Sequence, residues 1–258
     1  MSKTYTTTGL ILKRRDYLEN DRLFIVYSKD FGKIELLAKG TKKISSKLNS
    51  YLEPFYLIKI MAARGKGFDK LANCNLVKSY QNLRNDQSLF GFYLLNYLSE
   101  VTDGLIVGQT LKHDKFQLLL ELLDLLEEKI NQASQLKLLG LVNVYNFKIL
   151  NLLGYQPEIK RCLNCHKGIL LTKNIFDFRQ GGIICEDCKK VCLIEDYILV
   201  SDGVIKLLQL AQEKSLADFI SLENHFDDLK QFNQVVYKLL LINLEKPIKS
   251  VDFLNNFC

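Results

Sequence analysis

Apolar and polar positions alternate along the first eighty residues, and the period then changes to that of helices. Thr4 to Arg14 alternates around Tyr5, Leu10 and Leu12. Leu23 to Ser28 is a short apolar run, and Phe31-Gly32-Lys33 turns into Ile34 to Ala38. Leu52 to Met61 alternates again, and Leu71 to Val77 reads as a fifth strand. Five short strands, with turns marked by Gly9, Gly32, Gly40, Gly65 and Gly67, predict a small closed barrel. An OB-type barrel leads, although periodicity alone does not separate it from an SH3-like one.

Beyond Leu83 the spacing is helical. Ser88 to Val101 carries Leu89, Phe92, Leu95 and Leu98, with Asp86 as its N-cap. His113 to Ile130 has a stripe of Phe116, Leu119, Leu120, Leu123 and Leu126, opposite Glu121, Asp124, Glu127 and Glu128. Ser134 to Leu153 is apolar almost all round, which predicts a central helix. Gly154 ends it, and Pro157 forbids its continuation. Helices resume at Asp202 to Lys214 and at Leu229 to Leu244. The fold class is therefore α+β and multidomain. The predicted domains are a barrel over 1–82 and a helical domain over 83–258, the latter interrupted at about 159–194.

That interruption holds the most informative chemistry. Cys162-x-x-Cys165 and Cys185-x-x-Cys188 have the spacing of a structural zinc site. Two thiolates two residues apart grip one face of a tetrahedral cation, and a second pair closes the other. Ile175, Phe176, Phe178, Ile183 and Ile184 around Gly181-Gly182 predict a ribbon between the pairs, within Leu171 to Ile184. Four thiolates leave no open coordination position, so the metal holds structure and does no chemistry. Cys192 and His166 are the alternative ligands, and a pair of buried thiols is the plain reading. Cys74, Cys192 and Cys258 lie at unrelated spacings. Free thiols and the lack of a signal-peptide pattern at the N-terminus fit a reducing cytoplasm.

The 258 residues are 48% hydrophobic and 25% charged, ordinary for a folded soluble chain. No uncharged apolar run approaches the ~18 residues of a membrane span. The net charge of +6 is uneven: residues 1–80 hold 16 Lys and Arg against 7 Asp and Glu, and the remainder 19 against 22. Surplus cations on the barrel point to a polyanion, and nucleic acid is the commonest. The residues that could follow a phosphate backbone are Arg14, Arg15, Lys39, Lys42, Lys43, Lys47, Arg64 and Lys66. Tyr17, Tyr27, Phe31, Tyr51 and Tyr56 are aromatics available for stacking, although strand-spaced aromatics usually belong to a core. Catalysis finds little support. His113 and His225 lie among charged residues, and there is no nucleophile elbow, no zincin motif and no acidic pair for two metals.

Several stretches together resemble the RecO family of bacterial recombination mediators. They are Tyr17-Leu18-Glu19-Asn20-Asp21-Arg22, Ala38-Lys39-Gly40-Thr41-Lys42-Lys43, Leu52-Glu53-Pro54-Phe55 and Leu153-Gly154-Tyr155-Gln156-Pro157. Phe176-Asp177-Phe178 with Gly181-Gly182-Ile183-Ile184-Cys185, and Lys249-Ser250-Val251-Asp252-Phe253-Leu254, complete the set. The resemblance implies an N-terminal OB-fold, a helical domain and an inserted zinc ribbon. It implies a non-enzymatic protein that binds single- and double-stranded DNA and anneals complementary strands. It also implies work with RecR, and contact with the C-terminal tail of single-strand binding protein to help RecA load. On this chain the Gly40 to Lys43 loop would touch phosphates. The rival readings are a zinc-ribbon adaptor that binds proteins without touching DNA, and a nucleic-acid-processing enzyme with an accessory barrel.

Overall fold

A computed structural model describes residues 4–43, 48–106, 113–170, 173–223, 225–244 and 247–250. Contacts divide the chain into two compact units, Met1–Glu127 with Ile248–Asn256, and Glu128–Pro247 with Phe257–Cys258.

The first unit is built on a closed barrel of β1 (Thr4–Tyr17), β2 (Asp21–Ser28), β3 (Gly32–Ala38), β4 (Leu57–Ala63) and β5 (Asp69–Lys78). The strands run in the order β1-β2-β3-β5-β4 and close through the β1–β4 pairing. All neighbours are antiparallel except β3 and β5. This is the OB arrangement, which removes the SH3-like alternative. Inward positions supply the core: Ile11, Phe24, Val26, Ile34, Leu36, Ile58, Ile60 and Cys74. Burial alone pushes the Cys74 thiol up to about 11, as an inert core cysteine requires.

Two sequence expectations change here. Gly9 marks no turn. It lies inside β1 where that strand passes from pairing with β4 to pairing with β2, and a Cβ there would sit 2.5 Å from Val26 Cγ1. The barrel bends at this glycine, with a bulge between Ile11 and Lys13. β4 begins at Leu57 and not at Leu52, because Pro54 cannot donate to a ladder. Leu52 still reaches the core, after a 3-10 turn at Asn49–Tyr51.

The outward residues Leu23, Ile25 and Tyr27 are also buried, so this strand lacks a wet face. Three helices follow in this unit, α1 (Gln81–Arg84), α2 (Phe90–Leu105) and α3 (His113–Lys129). Ser99 Oγ of α2 donates to the Leu12 carbonyl at 2.9 Å, and Tyr27 meets Phe116 of α3 edge to face at 5.3 Å. Asp86 works as a cap, accepting from the Gly91 N–H at 3.0 Å, but the helix starts only at Phe90.

In the second unit, α4 (Gln135–Leu153) is the central helix that its composition predicts. Ser134 caps its start, and Gly154 at φ 98° ends it. By length and composition α4 could cross a membrane, yet 67% of its apolar window is buried inside the fold. It packs on α6 (Asp202–Glu213), α7 (Leu216–Ser221) and α8 (Phe226–Asn243). The short α7 escapes a period search but has a full capping box, Ser215 with Asp218. α4 and α8 run in the same direction, since Gly140 lies under Leu229 and Asn143 Nδ2 donates to Asn233 Oδ1 at 3.1 Å.

Between α4 and α6 sits a three-stranded sheet ordered β7-β6-β8. Its strands are β6 (Asn174–Asp177), β7 (Gly182–Ile184) and β8 (Tyr197–Val200), and the one-turn α5 (Glu186–Lys189) follows β7. The β6–β7 turn uses Gly181 at φ 69°, as the paired glycines predict. Leu171 and Thr172 of the expected ribbon lie outside the described residues.

Candidate nucleic-acid interface and metal centre

Three connections meet at one end of the barrel. The β1–β2 hairpin receives the β3–β4 connection on one flank: Lys42 N donates to Asn20 O at 3.1 Å, and Gly40 N to Asp21 Oδ1 at 2.8 Å. On its other flank it meets the β4–β5 loop, where Tyr17 packs edge to face on Phe68 at 5.6 Å. By chain position seven of the eight predicted phosphate ligands, Arg14, Arg15, Lys39, Lys42, Lys43, Arg64 and Lys66, lie on or beside these connections, but the Arg64 side chain reaches Phe31 in the β2–β3 turn at the other end of β2. Lys47 falls outside the described residues.

They are not equivalent. Arg14 and Arg15 are successive strand residues and diverge: Arg14 reaches Glu53 at 2.5 Å, Arg15 reaches Glu35 at 3.7 Å. Lys42 pairs with Asp16 at 3.0 Å, and Arg64 with Asp69 at 3.1 Å. The hydrogen bond from Lys42, aided by the positive charges of Lys42, Arg22 and Arg14, holds the Asp16 carboxyl below its ordinary range. Four predicted cations thus carry a carboxylate partner. Lys39, Lys43 and Lys66 are exposed and have no ion pair among the described residues. Thr41, at the centre of the basic loop, is wholly buried and donates to the Ala38 carbonyl, so it shapes the turn.

The predicted aromatics also divide. Tyr27 is buried against α3. Phe31 and Tyr5 stack on the Arg64 guanidinium, 4.8 and 4.3 Å away, and Tyr56 takes Arg84 at 4.6 Å. Tyr17 and Tyr51 stay exposed. Sequence reasoning missed Phe68, an aromatic set between Gly67 and Asp69 in a basic loop, and the four partner carboxylates. An aromatic inside a Gly- and Lys-rich turn was the available signal.

The second centre lies in the ribbon. The sulfurs of Cys162, Cys165, Cys185 and Cys188 all fall within 4.8 Å of one another, and Cys165 and Cys185 are 3.9 Å apart. A tetrahedral zinc with ~2.3 Å bonds needs sulfur–sulfur edges of about 3.8 Å, so the donor set fits. Burial opposes ionisation of Cys162, but the backbone N–H groups of Cys165, Cys185 and Asn164 lower its pKa to about 6. For Cys188 the Asn164 side chain favours the thiolate, yet burial and the other three cysteines push it up to about 12. Four sulfurs packed this closely resist carrying negative charge together, which is the electrostatic problem that a divalent cation solves. The same sulfurs form the ribbon's core with Ile175 and Ile184. Cys192 and His166 are outside the cluster.

Comparison with known proteins agrees with this architecture. The family described as "Recombination protein O N terminal" matches residues 1–80, and "Recombination protein O C terminal" matches residues 87–252. A protein named DNA repair protein RecO from Dehalococcoides mccartyi is 28% identical over 98% of this chain and 95% of its own length. Relatives of the same name from Pelotomaculum thermopropionicum and Desulforamulus reducens are 26% and 28% identical, covering 99% and 98% of this chain and 95% and 94% of theirs. Matched at both ends and built on an OB barrel, a helical unit and a four-cysteine ribbon, the chain belongs to the recombination protein O (RecO) family.

Proposed function

We propose that this RecO-family protein is a non-enzymatic DNA-binding recombination mediator of DNA repair. In this reading it binds single- and double-stranded DNA, anneals complementary strands, and with RecR helps load RecA onto DNA coated with single-strand binding protein. It does so in the cytoplasm, at the nucleoid. Residues 1–82 form the nucleic-acid-binding domain, and residues 83–258, with the ribbon, take the protein partners. The observation that carries the reading is the convergence of three barrel loops in the segment with 16 basic against 7 acidic residues. Ion pairs within the segment leave that surplus, although Asp103 and Asp124 from outside it partner Lys13, Lys33 and Lys78. What remains after pairing is lodged on lysines such as Lys39, Lys43 and Lys66.

The mechanism is physical. Complementary strands repel each other through their phosphates, and a cationic surface that holds both lowers the repulsion and raises their local concentration. No nucleotide hydrolysis enters. Zinc would be held by Cys162, Cys165, Cys185 and Cys188 and would supply structure to the ribbon. For the acidic tail of single-strand binding protein, the cleft of about 420 Å³ between the start of α4 and the start of α8 has fitting chemistry. Leu136, Leu222, Phe226 and Leu229 line it together with Ser134, Lys137 and Glu223, so its charge is mixed and the apolar side chains would carry the contact.

The four carboxylate-paired cations favour one rival, a ribbon adaptor that binds proteins and leaves DNA alone. Annealing of complementary oligonucleotides, bare and coated with single-strand binding protein, with and without RecR, separates the two. Faster annealing that falls steeply with salt is expected. Annealing at the spontaneous rate would leave the adaptor.

A further inference from the structure

Among the barrel aromatics, Tyr17 and Phe68 pair with each other at the surface, while Tyr51, also exposed, lies in the 3-10 turn. Tyr5 and Phe31 are occupied by Arg64, Tyr56 by Arg84 and Tyr27 by Phe116. Tyr17 is 36% exposed and its ring stands on Phe68 at 81°. The next residue, Leu18, is 73% exposed and held at φ 53°, a conformation that a leucine adopts at a cost. An apolar side chain presented to water on a strained turn has no packing reason to be there.

The opposite side of this contact is fixed in place. Asp69 accepts from Gly65 N and from Arg64, each at 3.1 Å, and from Tyr5 Oη at 2.6 Å. A Cβ at Gly65 would lie 2.0 Å from the Phe68 carbonyl oxygen, so the turn closes only with glycine and thereby aims Phe68 at the hairpin. Lys66, exposed and two residues before Phe68 in the same loop, supplies positive charge, whereas Arg15, two residues before Tyr17, is shared with Glu35.

We infer that Tyr17, Phe68 and Leu18 form a platform for unpaired nucleobases, giving the barrel a preference for single-stranded over duplex DNA. The inference rests on the DNA-binding reading above and adds base recognition to its phosphate contacts. An exposed aromatic ring near the cation of Lys66 matches a base with its phosphate, whereas a duplex keeps its base faces stacked inside and offers only charge.

The chain contains no tryptophan, so Tyr17→Trp introduces a unique fluorophore. Its emission is expected to be quenched by oligo-dT and left unchanged by a duplex or by an abasic oligonucleotide of equal phosphate number. Tyr17→Ala is expected to weaken oligo-dT binding about tenfold while duplex affinity and the salt slope stay as in the wild type. Tyr17→Leu keeps an apolar cover on Phe68, so equal losses for Leu and Ala assign the effect to stacking and not to folding. Unchanged emission with saturating oligo-dT, or equal loss on single strand and duplex, overturns the platform while DNA binding stands. A wild-type chain that binds neither form overturns both readings.

Discussion

Lys33 of β3 donates twice to Asp103 of α2, to the carboxylate at 2.9 Å and to the backbone carbonyl at 2.7 Å. Lys13 of β1 donates to the second carboxylate oxygen at 2.9 Å, so one acid ties two barrel strands to a helix. Burial opposes ionisation of Asp103, but the two lysines outweigh it and hold its pKa below the ordinary value. A lowered acid stabilises the fold above its unfolded pKa of ~3.9, and the contribution disappears as pH falls through the folded value.

Asp103→Asn is therefore expected to cost about 2 kcal/mol at neutral pH, since it leaves two half-buried ammonium groups unneutralised. Denaturant midpoints measured from pH 6 down to pH 3 should fall for the wild type and change less for the variant. Parallel curves would exclude the linkage.

One zinc per chain is expected by elemental analysis. Cys162→Ser should lose it and expose the ribbon to protease, because these sulfurs are the ribbon's core. Cys192→Ser should keep full metal content, as Cys192 lies outside the cluster. Bound metal should fall on acidification, when protons compete for the thiolates.

Lys39→Ala, Lys43→Ala and Lys66→Ala are each expected to reduce the salt slope of single-strand binding by about 0.7. Lys42→Ala should lower affinity with little change of slope, because it uncovers the Asp16 carboxylate. Adding Asp16→Asn to Lys42→Ala should restore most of the loss. A slope that responds only to Lys42 would contradict this division.

Gly91→Ala tests the start of α2. The new Cβ would stand 2.4 Å from the Leu83 carbonyl oxygen, against backbone that cannot swing aside. Destabilisation of about 2–3 kcal/mol is expected in thermal melts.

The sequence made the barrel legible because its strands read as short alternating or apolar runs punctuated by glycine. It made the cysteine site legible because two-residue spacing reflects the local geometry of a metal-binding turn. The bend at Gly9 was hidden, since a glycine inside a strand and one in a turn look alike without their neighbours. The pairing of Lys42 with Asp16 and Arg15 with Glu35 was hidden for a different reason. Charge counts ignore which side chains meet: Lys42 meets Asp16 where loop and hairpin close, and Arg15 meets Glu35 across β2. Phe68 was missed because its partner, Tyr17, lies fifty-one residues earlier. Of the C-terminal stretch behind the family resemblance, only Lys249 and Ser250 are described; Ser250 bonds Glu100 through its N–H and hydroxyl, both at 3.1 Å.

The same-direction pairing of α4 and α8 has a consequence for biosynthesis. Asn143 meets Asn233 ninety positions downstream, so the helical core cannot assemble until the ribosome has delivered the last long helix. The barrel strands are complete by Lys78 and can close while translation continues. A nascent chain halted between these points would carry a closed barrel and an open, apolar α4 awaiting its mate.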